Sequence, residues 1–256
     1  MQSFLPASIT FISDPLFYLV AIPGALLIGI SKSGLSGFGA LAVPLIALTM
    51  PVPHAAAILM PVLFLADVMG AKALFIERDK ALTKLLLPAG LLGTLLGTFL
   101  FGVLSASTVA AVLGALTLLF LAQRMLFPPR VDSKPAPRWL GFLLGTASGF
   151  ASFVAHAGSP PINAYLLPLK LPPLRYTGTM ATFFLVVNFS KWVPYAFLGL
   201  IDWQNMATGV LLLPFAALGV VLGIFLMRRM DPKVFYALVH IGMFLTGSKL
   251  LWDGIK

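Results

Sequence analysis

Apolar residues run from 16 to 30, stop at Ser31-Lys32-Ser33-Gly34-Leu35-Ser36-Gly37-Phe38-Gly39, and resume from 40 to 50. Each apolar piece is shorter than the run of about 20 residues that a helix needs to cross a bilayer. Peptide groups that unwind at membrane depth find no partners in lipid. Such a break therefore survives only inside protein or beside a watery cavity. Longer apolar runs follow at 54–73, 85–103 and 109–127, and then a proline-rich polar stretch at 128–138. A second broken pair at 139–154 and 162–169 flanks the stretch from Ser152 to Pro161, and runs at 176–198, 210–227 and 235–252 complete the chain. The runs do not alternate as the strands of a barrel would. They predict an all-α integral membrane protein, a polytopic helical bundle.

The order of the first half recurs in the second. Residues 85–100 match 211–226, with Pro88, Gly93 and Gly97 falling on Pro214, Gly219 and Gly223. Pro51, His54 and Asp67 lie over Pro172, Arg175 and Asn188 at equal spacing. The segments 78–84, 124–138 and 228–233 are rich in Lys and Arg, whereas 104–108 and 200–205 carry neither. Basic loops stay in the cytoplasm. The run 85–103 is thus expected to go outward and its match 210–227 inward. Matching sequence with opposite direction is an inverted repeat. The expected units are 1–127 and 139–256, joined by a cytoplasmic linker at 128–138. Each opens with a broken or re-entrant helix pair followed by three transmembrane helices.

Composition agrees with this. Of 256 residues, 59% are hydrophobic and only 10% charged, against about 25% charged in soluble domains. The net charge of +9 sits in loops and does not signal nucleic acid. Cysteine is absent, which removes disulfides and thiolate metal sites. There is no metalloprotease, serine-hydrolase or nucleotide-binding motif, so neither an enzyme nor an ATP-driven pump is expected, and no cofactor or metal is called for.

The chemistry concentrates in the two breaks. Helix N-termini offer unpaired N–H groups and partial positive charge, which bind anions. Ser36 is placed to cap a half-helix starting near Gly37, and Ser159 one starting at Pro160-Pro161. Lys32 lies in one break and His156 in the other. The expected substrate site takes Lys32, Ser33, Gly34, Ser36, Gly37 and Gly39 from the first break. From the second it takes His156, Gly158, Ser159 and Asn163, and from the segment that follows, Thr179 and Asn188. Asp67 is an acid well inside a span and is a functional candidate by default. With His156 it is the candidate coupling group. Lys191, one helical turn beyond Asn188, is read either as lining the path or as facing the external surface. Thr177, Thr179 and Thr182 are read either as ligand contacts, Thr179 foremost, or as bonds back to their own helix.

Two halves, each with a glycine-rich break followed by proline, resemble the sulfite exporter TauE/SafE family of membrane permeases. The resemblance rests on Gly37-Phe38-Gly39-Ala40-Leu41-Ala42-Val43-Pro44 and on the stretch from His156 to Pro168. Asn188 and Gly199-Leu200-Ile201-Asp202-Trp203 also fit. Phe38, Ala40 and Ser159 stand where that family often has glycine. The resemblance implies transport of small sulfur-containing anions such as sulfite or organosulfonates, with a carboxylate as a related substrate and export as the usual direction. The expected setting is the bacterial inner membrane, multi-pass. The expected partners are a small anionic solute and lipid, with no nucleic acid and with a homodimer left open. An anion channel and a membrane subunit that assembles a partner are the alternative classes.

Overall fold

The computed structural model describes residues 12, 14–33, 39, 42–46, 49–50, 52–100, 105–126, 136–156, 158–198, 201 and 203–255. The expectations placed on Gly34, Ser36 and Gly37 lie outside the described residues. The elements among them are helices: α1 (Pro15–Lys32), α2 (Ala42–Ile46), α3 (Val52–Leu74), α4 (Lys80–Phe99), α5 (Ala106–Leu126) and α6 (Arg138–Ala155) come first. After these come α7 (Ser159–Leu166), a 3-10 turn (Leu167–Leu169), α8 (Pro173–Ser190), α9 (Trp192–Phe197), α10 (Trp203–Leu211), α11 (Leu213–Arg229) and α12 (Pro232–Ile255). By length and composition α1, α4 and α12 can each cross a membrane, and α10 with α11 makes a fourth span if the bent pair is one crossing.

Local chemistry accounts for the starts. The Asp14 carboxylate accepts from the Leu16 N–H, and Pro15 opens α1 where its missing N–H costs nothing. Asp79 caps α4 by accepting from the N–H groups of Ala81 and Leu82. Two long segments expected to be continuous are interrupted. The run 176–198 divides at Lys191 into α8 and α9, and the run that holds α11 turns by 46° at Leu212. Proline is the reason in both. The rings of Pro194 and Pro214 oppose the carbonyls four residues earlier, at Ser190 and Val210, and offer them no N–H.

The helices pair closely through small residues. α4 runs parallel to α6: a Cβ at Gly93 would stand 2.0 Å from the Thr146 carbonyl oxygen and 2.7 Å from the Phe150 nitrogen. One at Gly149 would stand 2.0 Å from the Gly90 oxygen. α1 runs parallel to α11: a Cβ at Gly219 would meet the Leu26 oxygen at 2.4 Å and the Ile30 nitrogen at 3.2 Å. One at Gly29 would meet the Ala216 oxygen at 2.2 Å. α5 and α12 are antiparallel, with Ala111 against Gly254 and Gly114 against Gly247 and Leu251. So are α3 and α8, where Asp67 meets Asn188 and Leu74 meets Gly178. Close backbone approach of this kind is how helices associate in lipid, where no hydrophobic force drives them together.

The polarity is that of a membrane protein. Leu95, Phe99, Val221, Phe225, Phe244 and Trp252 are exposed on the outside, while Asp67, Asn188 and Lys191 are buried.

Candidate anion site

α1 ends at Lys32, and its side chain reaches α3. The Lys32 Nζ lies 2.8 Å from Asp67 Oδ1. The ammonium has three N–H groups; Asp67 Oδ1 can occupy one of them, and the others can serve another acceptor. The same ammonium stands 4.7 Å from the centre of the Phe184 ring, a cation–π contact. Asp67 itself is fully buried.

From Asp67 the polar contacts continue across the molecule. Asn188 on α8 donates its amide N–H to Asp67 Oδ2 at 2.5 Å. The Asn188 carbonyl oxygen accepts from the Lys191 ammonium at 2.7 Å. Lys191 also donates to the Ser152 carbonyl at 2.7 Å and to the Ser152 hydroxyl at 2.6 Å. Five side chains from α1, α3, α6, α8 and the α8–α9 break thus form one chain of contacts. The break at Lys191 that Pro194 imposes sits directly on this network.

A small cavity of about 30 Å³ opens beside Lys32. Ser31, Lys32, Ser159, Tyr176, Met180, Ala181 and Phe184 line it. Ser31 comes from the end of α1 and Ser159 from the first turn of α7. The last turn of α1 and the first turn of α7 therefore meet at one cavity, and Lys32 is the cation among its lining residues.

The expected site residues divide. Lys32 and Ser159 line the cavity, and Asp67 and Asn188 stand directly behind it. Ser159 occupies the first turn of α7 rather than the cap; Gly158 holds the cap position and no side chain caps α7. The two prolines that follow remove two of the N–H groups an anion could use. The Ser33 hydroxyl is buried and shared between the carbonyls of Gly29 and Val220, tying α1 to α11. Gly39 packs on the Ser31 side chain, and Gly158 packs against Ser148, Ser152 and Phe184. The Gly158 carbonyl accepts from the Ser148 hydroxyl. Asn163 is buried and accepts from the Tyr176 hydroxyl at 2.5 Å. Thr179 sits apart from the cavity: it accepts from the Asp79 N–H and donates to the Arg175 carbonyl. Thr182 bonds back to Gly178, while the buried Thr177 hydroxyl has no partner among the described residues.

His156 closes α6 in the left-handed region, with φ of 51°. That conformation costs a non-glycine residue about 1–2 kcal/mol. Its ring stands edge-on to Tyr195, with Nε2 3.5 Å from the Tyr195 hydroxyl. The hydroxyl itself donates to the Phe153 carbonyl at 2.6 Å. The His156 Nδ1 is buried without a partner among the described residues. His156 does not line the cavity. Tyr176 and Phe184 line the cavity, and Lys191 and Ser152 join the network behind it; none of the four was among the expected site residues. Lys191 did carry a signal, its one-turn spacing from Asn188, and the structure decides that reading: it is buried, 1% exposed, and does not face the surface.

A helical membrane protein that turns its ionisable residues inward, around a cavity between broken helices, is built as a solute transporter. The chain belongs to the sulfite exporter TauE/SafE family, whose sequence profile matches residues 21–250. Membership makes it a membrane transporter in a family that moves sulfur-containing anions, not an enzyme family. No curated protein and no solved structure matches the chain.

Proposed function

We propose that this protein is a secondary transporter that exports a small sulfur-containing anion, sulfite or an organosulfonate, across a bacterial inner membrane by alternating access. The observation that carries the reading is Lys32. Its ammonium lines the cavity with hydrogen-bonding capacity unspent, beside the hydroxyls of Ser31 and Ser159. An anion would sit on that ammonium and on those two serines. A cavity of about 30 Å³ holds little more than a water molecule. Anion entry therefore requires the helices to part, as an alternating site does. Asp67 and His156 are the ionisable groups available to couple this movement to protons.

The reading includes two units, 1–127 and 139–256, related as inverted repeats. Its support is the correspondence of contacts. Gly93 meets Thr146 and Phe150 as its sequence match Gly219 meets Leu26 and Ile30. Gly149 meets Gly90 as Gly29 meets Ala216, the match of Gly90. Gly97 meets the Phe153 Cβ as Gly223 meets the Ser33 Cβ. The helices that match each other, α3 with α8 and α5 with α12, pack antiparallel. An axis lying in the membrane plane requires this, and one along its normal forbids it.

The test is binding by purified protein in detergent. Thermal stabilisation is measured with sulfite, sulfate, thiosulfate, sulfoacetate, acetate, phosphate and chloride. Lys32→Ala and His156→Ala run alongside. The expected result is a shift with one or two sulfur-containing anions, weakened about tenfold or more in Lys32→Ala. A shift with none of them, or shifts untouched by Lys32→Ala, would remove the site from this cavity.

A further inference from the structure

The network behind the cavity holds an odd number of charges. Both Asp67 oxygens face donors, the arrangement of a carboxylate. The Lys191 nitrogen faces three acceptors, the arrangement of an ammonium with all three N–H groups engaged. Lys32 is answered by Asp67. Among the described residues Lys191 is answered only by neutral oxygens, those of Ser152 and Asn188. His156 is left out of the count: its Nδ1 has no acceptor among the described residues to hold a second proton. Lys191 is the only buried lysine or arginine among the described residues; with Lys32 and Lys191 as ammonium groups and Asp67 as a carboxylate, the cluster carries one net positive charge.

A buried charge is costly unless something offsets it, and among the described residues no acid touches Lys191. Asn188 keeps the charge open. Its amide is oriented without ambiguity, nitrogen to the carboxylate of Asp67 and oxygen to the ammonium of Lys191. An acid at this position would neutralise Lys191 from within.

We propose that Lys191, held open by Asn188, sets the charge of the substrate. The site takes up one negative charge per binding event, so it selects a monoanion over a dianion of the same shape. Lys32 holds the anion directly. Lys191 acts on it through the field and is a specificity-determining residue without being a contact. This rests on the anion site at Lys32 proposed above.

Methanesulfonate and sulfate are the probes. Both are tetrahedral sulfur anions of similar size, and a methyl group replaces one charged oxygen. Isothermal titration of the full-length protein in detergent at neutral pH gives their dissociation constants. Wild type, with one net charge, binds methanesulfonate more tightly than sulfate. Asn188→Asp brings the cluster to zero and weakens methanesulfonate about tenfold or more. Asp67→Asn brings it to two and reverses the preference toward sulfate. The double variant Asp67→Asn with Asn188→Asp moves the acid from α3 to α8 at constant charge, and it recovers methanesulfonate binding to within about threefold of wild type. Should Asn188→Asp fail to fold, Asp67→Asn and the double variant carry the same comparison. If wild type prefers sulfate, or the preference does not follow net charge, the charge role of Lys191 is overturned. If that happens while Lys32→Ala still abolishes binding, the anion site itself stands. Wild type that binds neither probe, or binding indifferent to Lys32→Ala, overturns both.

Discussion

Replacing Gly149 with alanine strikes one of the two closest helix contacts in the molecule. The added Cβ would lie 2.0 Å from the Gly90 carbonyl oxygen, 2.8 Å from its carbonyl carbon and 2.9 Å from its Cα. These are backbone atoms, so no rotamer relieves the clash; α4 and α6 must separate by about 1 Å or more to reach ordinary contact. Overpacking of this kind costs about 1–3 kcal/mol. The upper end applies, because separation also loosens the approaches at Gly93 and Gly97 on the same interface. For a chain of this length about 3 kcal/mol corresponds to a fall in Tm of about 6–12 °C. Gly29→Ala on α1 should cost nearly as much, since its Cβ would lie 2.2 Å from the Ala216 oxygen. Gly24→Ala on the same helix is the control. Its Cβ would meet Ala42 at 3.6–3.7 Å, ordinary contact, and the helix gains up to about 1 kcal/mol of propensity. Tryptophan fluorescence during thermal unfolding in detergent measures all three. If Gly149→Ala and Gly29→Ala unfold no earlier than Gly24→Ala, the pairing of α4 with α6 and of α1 with α11 is wrong.

Two other changes separate packing residues from the anion site. Ser33→Ala removes the buried hydroxyl shared by Gly29 and Val220. It should cost about 1 kcal/mol, a Tm lower by about 2–4 °C, with the anion dissociation constant unchanged by titration. Thr179→Val leaves the Asp79 N–H without its acceptor and should cost about 1–3 kcal/mol. Its signature is a lowered Tm with anion binding as in wild type; a binding loss with normal stability would return Thr179 to the site.

The helical membrane class, the second break and the cavity lysine were legible in the sequence; most of the first break lies outside the described residues. Hydropathy and small-residue spacing report directly on the solvent a helix faces and on how closely it packs. The breaks within 176–198 and near 212 were less legible, although Pro194 and Pro214 were in view. A proline interrupts some membrane helices and is tolerated in others: Pro88 sits inside a continuous α4, and its sequence match Pro214 does not. The roles of Ser33 and Thr179 were not legible. A serine beside a lysine looks the same in sequence whether it faces a ligand or a neighbouring carbonyl. Only the α11 backbone across from Ser33, and the Asp79 N–H across from Thr179, assign those hydroxyls. Lys191 lay between the two outcomes. Its spacing from Asn188 placed it on the right face, but depth depends on where α8 breaks.

The pairing of Asp67 with Asn188 bears on why two similar halves are not identical. On the repeat reading these two residues match each other, and they touch at 2.5 Å, as residues on a shared axis must. A fully symmetric pair could be two acids or two amides. Two acids would each face a lysine, Asp67 with Lys32 and the acid at position 188 with Lys191, and would leave no charge for solute. Two amides would leave Lys32 and Lys191 both without a counter-charge among the described residues. One acid and one amide answers one lysine and leaves the other open. On the repeat reading, duplication supplies the crossing point of α3 and α8; on the proposed anion site, the single difference in side chain at that point supplies the field an anion enters.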